Sequence, residues 1–217
     1  MLAAARLSFG LRIEGLENVP AEGGALVISN HLHNLDPIIL TAALPRPLQF
    51  MAKQEIFPVP VVGWIARQAG AFPVDRGGAD RAAIRKAGAL LAQGSLVGIF
   101  PEGTRSTTGG LMAPFPGSAL LALRSGAPIL PTAIYGSETL PFNGAKGRRR
   151  RQGGREVVVR IGQPFHLPPR ERGESHQGMA ELTEAMMREI VKLLPPQYHG
   201  IYADAPQPRE SAPVSRA

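Results

Sequence analysis

His31 and Asp36 are the residues whose types and spacing most directly suggest chemistry. They lie in the stretch Asn30-His31-Leu32-His33-Asn34-Leu35-Asp36-Pro37. A neutral imidazole with one nitrogen held by a carboxylate has a fixed tautomer, and its other nitrogen is free to remove a proton. Residues five apart point away from each other on a helix with about 3.6 residues per turn, so the pair requires a loop that folds His31 back onto Asp36. With that loop, His31 is a candidate general base; without it, Asp before Pro is simply a common helix start.

A second polar stretch, Phe100-Pro101-Glu102-Gly103-Thr104-Arg105-Ser106, contains the groups of an anion clamp. Gly103 lets the backbone approach a ligand closely. Arg105 has the forked geometry that grips a phosphate, and the Thr104 hydroxyl with nearby backbone N–H groups would complete the cradle. An ordinary turn in which Glu102 and Arg105 pair with each other is the alternative. A base, an orienting acid and an anion clamp together favour acyl transfer onto a phosphorylated alcohol.

Both stretches follow apolar runs that predict buried strands, at residues 25–28 and 95–100. In an open α/β sheet, ligands bind at the carboxyl ends of the strands, where both stretches are placed. A short helix is expected over residues 38–43, with Asp36 as its N-cap and Pro37 at its first position. The segment 57–65 is apolar but interrupted by proline and glycine, so we expect neither a regular helix nor a central strand there. It could line an acyl channel, contact lipid or pack in the core.

The remaining patterns predict the fold class. Further strands are expected at residues 48–52, 72–74, 129–135 and 156–161, and helices at 79–93, 118–124 and about 175–194. Strands that alternate with helices predict an α/β fold with a mixed, largely parallel central sheet flanked by helices on both faces. We expect a single domain over residues 1–202 and a disordered tail over 203–217, which is rich in Pro, Ala and Ser.

The motifs resemble those of a known family. The two polar stretches look like the His-x4-Asp and Phe-Pro-Glu-Gly-Thr-Arg-Ser blocks of the 1-acylglycerol-3-phosphate acyltransferase family. Residues 52–76 are similar to the segment between these blocks, and residues 127–134 look like the fourth block. The four blocks follow in order over residues 25–136. Two positions depart from the pattern: Pro116 stands where the family commonly has lysine, and His33 where serine is frequent.

The resemblance implies an activity and a set of site residues. His31, with Asp36 as its partner, would deprotonate a glycerol hydroxyl that attacks the thioester of acyl-CoA or an acyl carrier protein. The acceptor would be 1-acylglycerol 3-phosphate and the product phosphatidate, with another lysolipid or glycerol 3-phosphate as the alternative acceptor. No cofactor or metal is expected, because a thioester is already activated. The residues implied around the phosphate, the glycerol and the acyl chain are Lys53, Arg76, Glu102, Gly103, Thr104, Arg105 and Pro131.

Composition narrows the chemistry. The chain has 217 residues and no cysteine, which excludes a cysteine nucleophile, a thiolate metal site and a disulfide framework. Neither of the candidate nucleophiles Ser29 and Ser106 lies in a Gly-x-Ser-x-Gly nucleophile elbow, so a covalent acyl-serine route is disfavoured. Direct attack by the acceptor hydroxyl is the preferred route.

The charge distribution suggests a partner. The formal net charge is +7, and residues 143–173 contain nine Lys and Arg against two Glu, so this segment carries the whole excess. The basic run between Lys146 and Arg155 is expected to lie on an anionic membrane surface, although a solvated loop is the simpler alternative. The positive charge of this segment would also attract an acyl carrier protein or coenzyme A. No nucleic-acid-binding motif accompanies it. Residues 1–10 are too short for a signal peptide and no run of about 18 apolar residues exists, so we expect a cytoplasmic protein peripherally associated with the inner face of the membrane.

Two other classes of function remain open. A metal-dependent hydrolase could use His31, His33 and Asp36, which superficially resemble a metallo-β-lactamase-like cluster. The carboxylate is one residue too far along, and the other histidines, His166, His176 and His199, all lie in the last quarter of the chain. A lipid-binding module would bind the phosphorylated acceptor without turnover.

Overall fold

A computed structural model describes residues 10–68, 70–74, 80–115, 117–141, 156–168 and 176–203. The predictions for Arg76, for Pro116, for the basic run between Lys146 and Arg155 and for the tail after residue 203 lie outside the described residues. No helix in the described ranges is both long enough and apolar enough to cross a membrane.

The described residues form one seven-stranded sheet with the order β1-β7-β6-β2-β5-β3-β4. All neighbouring strands are parallel except β6 and β7. The expected mixed, largely parallel sheet is therefore confirmed. The strands are β1 (Leu11–Glu14), β2 (Ala25–Ser29), β3 (Leu48–Lys53), β4 (Phe72–Val74), β5 (Leu96–Ile99), β6 (Ile129–Tyr135) and β7 (Val157–Ile161).

Helices cover both faces of the sheet, as the sequence predicted. They are α1 (Asp36–Ala43), α2 (Pro60–Gln68), α3 (Arg81–Ala92), α4 (Gly117–Ser125) and α5 (His176–Leu193). On one face, α1 packs Leu40 into the core beside Val27 of β2. On the other face, α3, α4 and α5 pack residues such as Ala87 and Met186 over Leu26. Side chains that alternate along β2 thus enter two different cores, which is why this strand is buried throughout.

Two elements differ from the sequence predictions. Strand β1 was not expected, although Leu11 and Ile13 alternate with charged residues as an edge strand requires; it pairs with β7. Helix α2 lies within the segment for which no regular helix was expected, and that expectation is wrong. Pro60 is the first residue of α2, a position where proline is tolerated because no helical partner exists for its missing N–H. Position 63 of the helix requires glycine, because a Cβ there would lie 2.1 Å from the Phe57 carbonyl oxygen.

The carboxyl ends of β2, β5 and β3 meet at one edge of the sheet, because these strands are parallel neighbours. The first polar stretch follows β2 and the second follows β5. Lys53 ends β3 at the same edge. The fold therefore places both motifs where ligands bind in open α/β sheets.

Candidate active site

His31 and Asp36 form a hydrogen-bonded pair at this edge. Nδ1 of His31 lies 2.8 Å from Oδ2 of Asp36, which is fully buried. Since a carboxylate oxygen only accepts, Nδ1 carries the proton and Nε2 is the basic nitrogen. The side chain of His31 is 15% exposed, so its ring is held but still accessible. The expected loop is confirmed, and the N–H of Asp36 donates to the carbonyl of His33 at 3.0 Å within it.

Asp36 holds the loop as well as the imidazole. Its Oδ2 also accepts the backbone N–H groups of Leu32 and His33, each at 2.6 Å. The sequence predicted Asp36 as the N-cap of the helix that follows it, but Leu35 occupies the N-cap position and Asp36 begins α1. The carboxylate therefore turns back toward the preceding loop. It gives the loop one defined conformation and holds the His31 ring against it.

Phe100 fixes the plane of the His31 ring. The two rings are stacked with centroids 4.0 Å apart and an angle of 14° between their planes. Phe50 stacks in turn on Phe100, with centroids 5.2 Å apart. Phe100 had no predicted role; the signal in the sequence was an aromatic residue that directly follows the β5 run and opens the second motif.

Glu102 lies beneath the base. Its side chain is 5% exposed; Oε1 accepts the backbone N–H of His31 at 3.0 Å and Oε2 accepts that of Met112 at 2.9 Å. Burial raises the pKa of Glu102 to about 7, against the opposing effect of these two hydrogen bonds. The structure thus places Glu102 behind the loop that carries His31; its role beside the phosphate and glycerol, which the resemblance implied, stays a prediction.

Ser106 holds the other side of the His31 backbone. The Ser106 N–H donates to the His31 carbonyl at 2.8 Å. The Ser106 hydroxyl donates to the Gly110 carbonyl at 2.6 Å and accepts the N–H of Gly109 at 3.0 Å. The loop after β5 therefore binds both the N–H and the carbonyl of His31, so the two motifs form one hydrogen-bonded unit.

Asn30 is a positioning residue that the sequence reasoning missed. Its buried amide donates to the Ile134 carbonyl at 2.7 Å, and its Oδ1 accepts the Ile134 N–H at 2.8 Å. The side chain thus continues the β2–β6 pairing by one step and fixes the backbone immediately before His31. The signal was its place at the end of a strand, next to the base.

The residues of the anion clamp follow Glu102 at the same edge. Gly103 adopts a positive φ of 66° and donates its N–H to the Phe100 carbonyl at 2.9 Å. Thr104 is exposed and Arg105 is partly buried. Burial lowers the pKa of His33, and the positive charge of Arg105 lowers it further. The hydrogen bonds of Glu102 and Ser106 to the His31 backbone hold the His31–Asp36 pair and the second polar stretch together at this edge.

Comparison with known proteins identifies the family. Residues 10–135 match the family described as Acyltransferase. This chain belongs to the acyltransferase family. It is 31% identical over 186 residues to the 1-acyl-sn-glycerol-3-phosphate acyltransferase of Bacillus subtilis, a match that covers 85% of this chain and 88% of the relative. It is also 31% identical over 125 residues to the protein of that name from Borreliella burgdorferi, of which it covers 50%.

A solved structure supports the same assignment. The crystal structure of the 1-acyl-sn-glycerophosphate acyltransferase from Thermotoga maritima superposes with a TM-score of 0.63 at 26% sequence identity. The match covers 88% of this chain and 75% of that chain. The α/β architecture described above is therefore shared with a structurally known acyltransferase.

Lys53 and Pro131 are the two remaining predicted site residues in the described ranges. Lys53 lies at the expected edge, half exposed, with its Nζ 3.0 Å from Oε1 of Glu55. Pro131 is buried within β6, where its carbonyl accepts the N–H of Gly162 at 2.8 Å and its ring packs beside that glycine. The side chain of Pro131 alternates with that of Leu130, which enters the core under α1, so it faces the opposite side of the sheet. Lys53 lies at the site edge. Pro131 lies within β6, and its role on the acyl side stays a prediction.

The donor set required by a metal-dependent hydrolase is not assembled in the described ranges. Nδ1 of His33 accepts the N–H of Leu35 at 3.0 Å, and the His33 ring is fully buried. The described residues contain no group of three or more His, Cys, Asp or Glu side chains that could hold a metal ion. His33 acts as part of the loop structure of this acyltransferase.

Proposed function

We propose that this acyltransferase moves a fatty acyl group from the thioester of acyl-CoA or an acyl carrier protein to the free hydroxyl of 1-acylglycerol 3-phosphate, forming phosphatidate. The observation that carries the proposal is the His31–Asp36 pair, with the basic nitrogen of His31 available next to the Gly103–Arg105 loop. The names of the relatives from Bacillus subtilis and Borreliella burgdorferi support this acceptor.

The proposed step follows from the tautomer of His31. Nε2 takes the proton of the acceptor hydroxyl while the oxygen of that hydroxyl attacks the thioester carbonyl. The C–O bond forms, the C–S bond breaks, and the imidazolium returns the proton to the leaving thiolate. Asp36 stabilises the imidazolium, and such positioned proton transfer contributes about 10²- to 10⁴-fold in rate.

The acceptor phosphate is held in this proposal by Arg105, with the Thr104 hydroxyl and the backbone at Gly103 beside it. A guanidinium binds two phosphate oxygens at once, and the missing side chain of Gly103 leaves its backbone open to a close approach. Lys53 and Arg76 would add positive charge around the headgroup, and Pro131 would shape the acyl side. Glycerol 3-phosphate or another lysolipid is the alternative acceptor, since this clamp recognises the phosphate they share.

The location of the protein in the cell forms part of the proposed function. We expect the protein in the cytoplasm, peripherally bound to the inner face of the membrane, with the basic run between Lys146 and Arg155 on anionic lipid. No nucleic acid is expected as a partner. Neither a metal nor a cofactor is required, because the thioester carries its own activation.

The experiment is an assay of free thiol released from acyl-CoA, with and without lysophosphatidate. We expect release to depend on the acceptor and to fall at least about a hundredfold in His31→Ala. His166→Ala is the control, because His166 is exposed and outside the site. Binding of lysophosphatidate without thiol release would indicate a lipid-binding module, and acceptor-independent release that a chelator abolishes would indicate a metal-dependent hydrolase. A parallel arm with glycerol 3-phosphate distinguishes the acceptors.

A further inference from the structure

Helix α2 exposes large apolar side chains. Trp64 is 62% exposed, Val62 47% and, just before the helix, Val59 46%. Among the described residues these are three of the five exposed large hydrophobic side chains. The main contact of α2 with another element is with the short turn Gln54–Ile56 that precedes it. Val59, Val62 and Trp64 are therefore left exposed by the described part of the fold.

The helix packs closely on the segment that precedes it. Gly63 faces the Phe57 carbonyl so closely that a Cβ there would lie 2.1 Å from the oxygen. The Gly63 N–H donates to the Val59 carbonyl at 2.6 Å, and the Arg67 guanidinium lies 5.6 Å from the centroid of the Phe57 ring. Any side chain at position 63 would push α2 away from the segment that precedes it. The exposed apolar groups are thus carried by a helix that packs on its preceding segment.

The position of α2 relates this surface to the active site. The helix follows β3, whose carboxyl end lies at the same sheet edge as the loops that carry His31 and Arg105. Phe115, 66% exposed, adds a second apolar group at this edge, because its ring lies 3.9 Å from where a Cβ of Gly103 would be. Apolar surface therefore flanks the mouth of the site.

We infer that Val59, Val62 and Trp64, the α2 surface, dock on an anionic lipid bilayer and insert into the boundary between headgroups and acyl chains. The inference rests on the proposed function, because an acylated acceptor and a doubly acylated product both reside in a bilayer. Tryptophan is suited to this boundary, since its ring is apolar and its N–H is polar. The guanidinium of Arg67, in the last turn of α2, adds a cation to this helix that complements lipid phosphates. None of the residues of this surface belongs to the basic run between Lys146 and Arg155.

The sequence provides its own reporter, because Trp64 is the single tryptophan. We expect its emission to shift to shorter wavelength when the full-length protein is mixed with vesicles of phosphatidylcholine and phosphatidylglycerol. Vesicles whose acyl chains carry bromine should quench that emission, since the indole would lie at the depth of the upper acyl chain. The wild-type protein alone thus gives a readout that does not depend on catalysis.

The test variant carries both Val59→Ser and Val62→Ser and keeps Trp64 as the reporter. The matched control is Ile201→Ser, which removes an exposed apolar side chain outside α2. Losing two inserted valines should weaken vesicle partitioning about tenfold or more, and transfer to lysophosphatidate in vesicles should fall with it. Transfer to a short-chain, water-soluble lysophosphatidate should be unchanged. Ile201→Ser should behave as wild type, and thermal unfolding of every variant establishes that each is folded.

Three outcomes would overturn the inference. The first is vesicle binding by the wild type with no change in Trp64 emission and no quenching by brominated lipid. The second is unchanged partitioning of the double valine variant. The third is an emission shift that depends on protein concentration without vesicles, which would identify a second copy of the chain as the occupant. Absence of turnover with the soluble acceptor would instead refute the proposed function, whereas the Trp64 signal still decides the docking surface.

Discussion

The carboxylate of Glu102 accepts the backbone N–H of His31 at 3.0 Å, so a residue of the second motif holds the base of the first. Its other oxygen accepts the N–H of Met112 at 2.9 Å. Glu102 therefore joins three chain segments behind the catalytic pair. We expect the charge and shape of this side chain to act on the reaction through the position of His31.

The substitution Glu102→Gln tests this positioning role. A glutamine amide nitrogen cannot accept a hydrogen bond, so either His31 or Met112 loses its partner in a buried place. We expect the free energy of unfolding to fall by about 1–3 kcal/mol. We also expect kcat to fall about tenfold or more with little change in the KM for acyl-CoA, because the base moves while the donor site is untouched. Glu181→Gln is the exposed control; equal kinetics for the two variants would refute the assignment.

The raised pKa of Glu102 predicts a pH dependence of stability. The pKa is about 7 in the folded protein against 4.5 for an ordinary glutamate, so between these pH values the folded state holds a proton that the unfolded chain has lost. Stability from this group is greatest below pH 4.5 and is lost as the pH rises to 7. The difference in unfolding free energy between wild type and Glu102→Gln should therefore fall by up to about 3 kcal/mol across this range. Urea titrations at a series of pH values measure it, and parallel profiles would contradict the prediction.

Asn30 offers a test of how the end of β2 is fixed. In Asn30→Asp a carboxylate oxygen replaces the amide nitrogen that donates to the Ile134 carbonyl, so two acceptors face each other in the core. We expect a loss of about 2–4 kcal/mol in unfolding free energy and a lower kcat, because the next residue is His31. The surface substitution Gln54→Glu makes the same amide-to-acid change and should be within about 0.5 kcal/mol of wild type. Equal stability of the two variants would show that the Asn30 amide is unimportant.

Arg105 is predicted to bind the acceptor phosphate. The variant Arg105→Ala should raise the KM for lysophosphatidate at least about tenfold, because a charge-assisted, forked contact is lost. The KM for acyl-CoA should change little. Arg124→Ala removes an exposed arginine at the end of α4 and serves as the control. An unchanged acceptor KM in Arg105→Ala would remove this residue from the phosphate site.

Much of this site follows from local sequence. Apolar runs that end at polar residues gave the strands, and parallel strands placed both motifs at one edge. The spacing of His31 and Asp36 required a loop, and the structure has that loop. These inferences succeeded because strand burial and the reach of a short loop are determined by neighbouring residues.

Other features depend on contacts between distant segments and were not visible in the sequence. Glu102 and His31 are 71 positions apart, and Asn30 and Ile134 are 104 positions apart. No regular helix was expected at α2, because proline and glycine usually break helices. Pro60, however, begins this helix, and Gly63 is required by its close contact with the Phe57 carbonyl. In each case a tertiary contact decides the role of the residue, and composition alone gives no sign of it.

The most direct test of the central claim is a double-mutant cycle on acyl transfer to lysophosphatidate, with His31→Ala, Asp36→Asn and the double variant, each checked for folding by urea titration. If Asp36 acts on the reaction through His31, each single change lowers kcat strongly and the double variant is about as slow as His31→Ala alone. Losses that multiply in the double variant, or a folded His31→Ala protein with near wild-type kcat, would contradict an imidazole base oriented by this carboxylate.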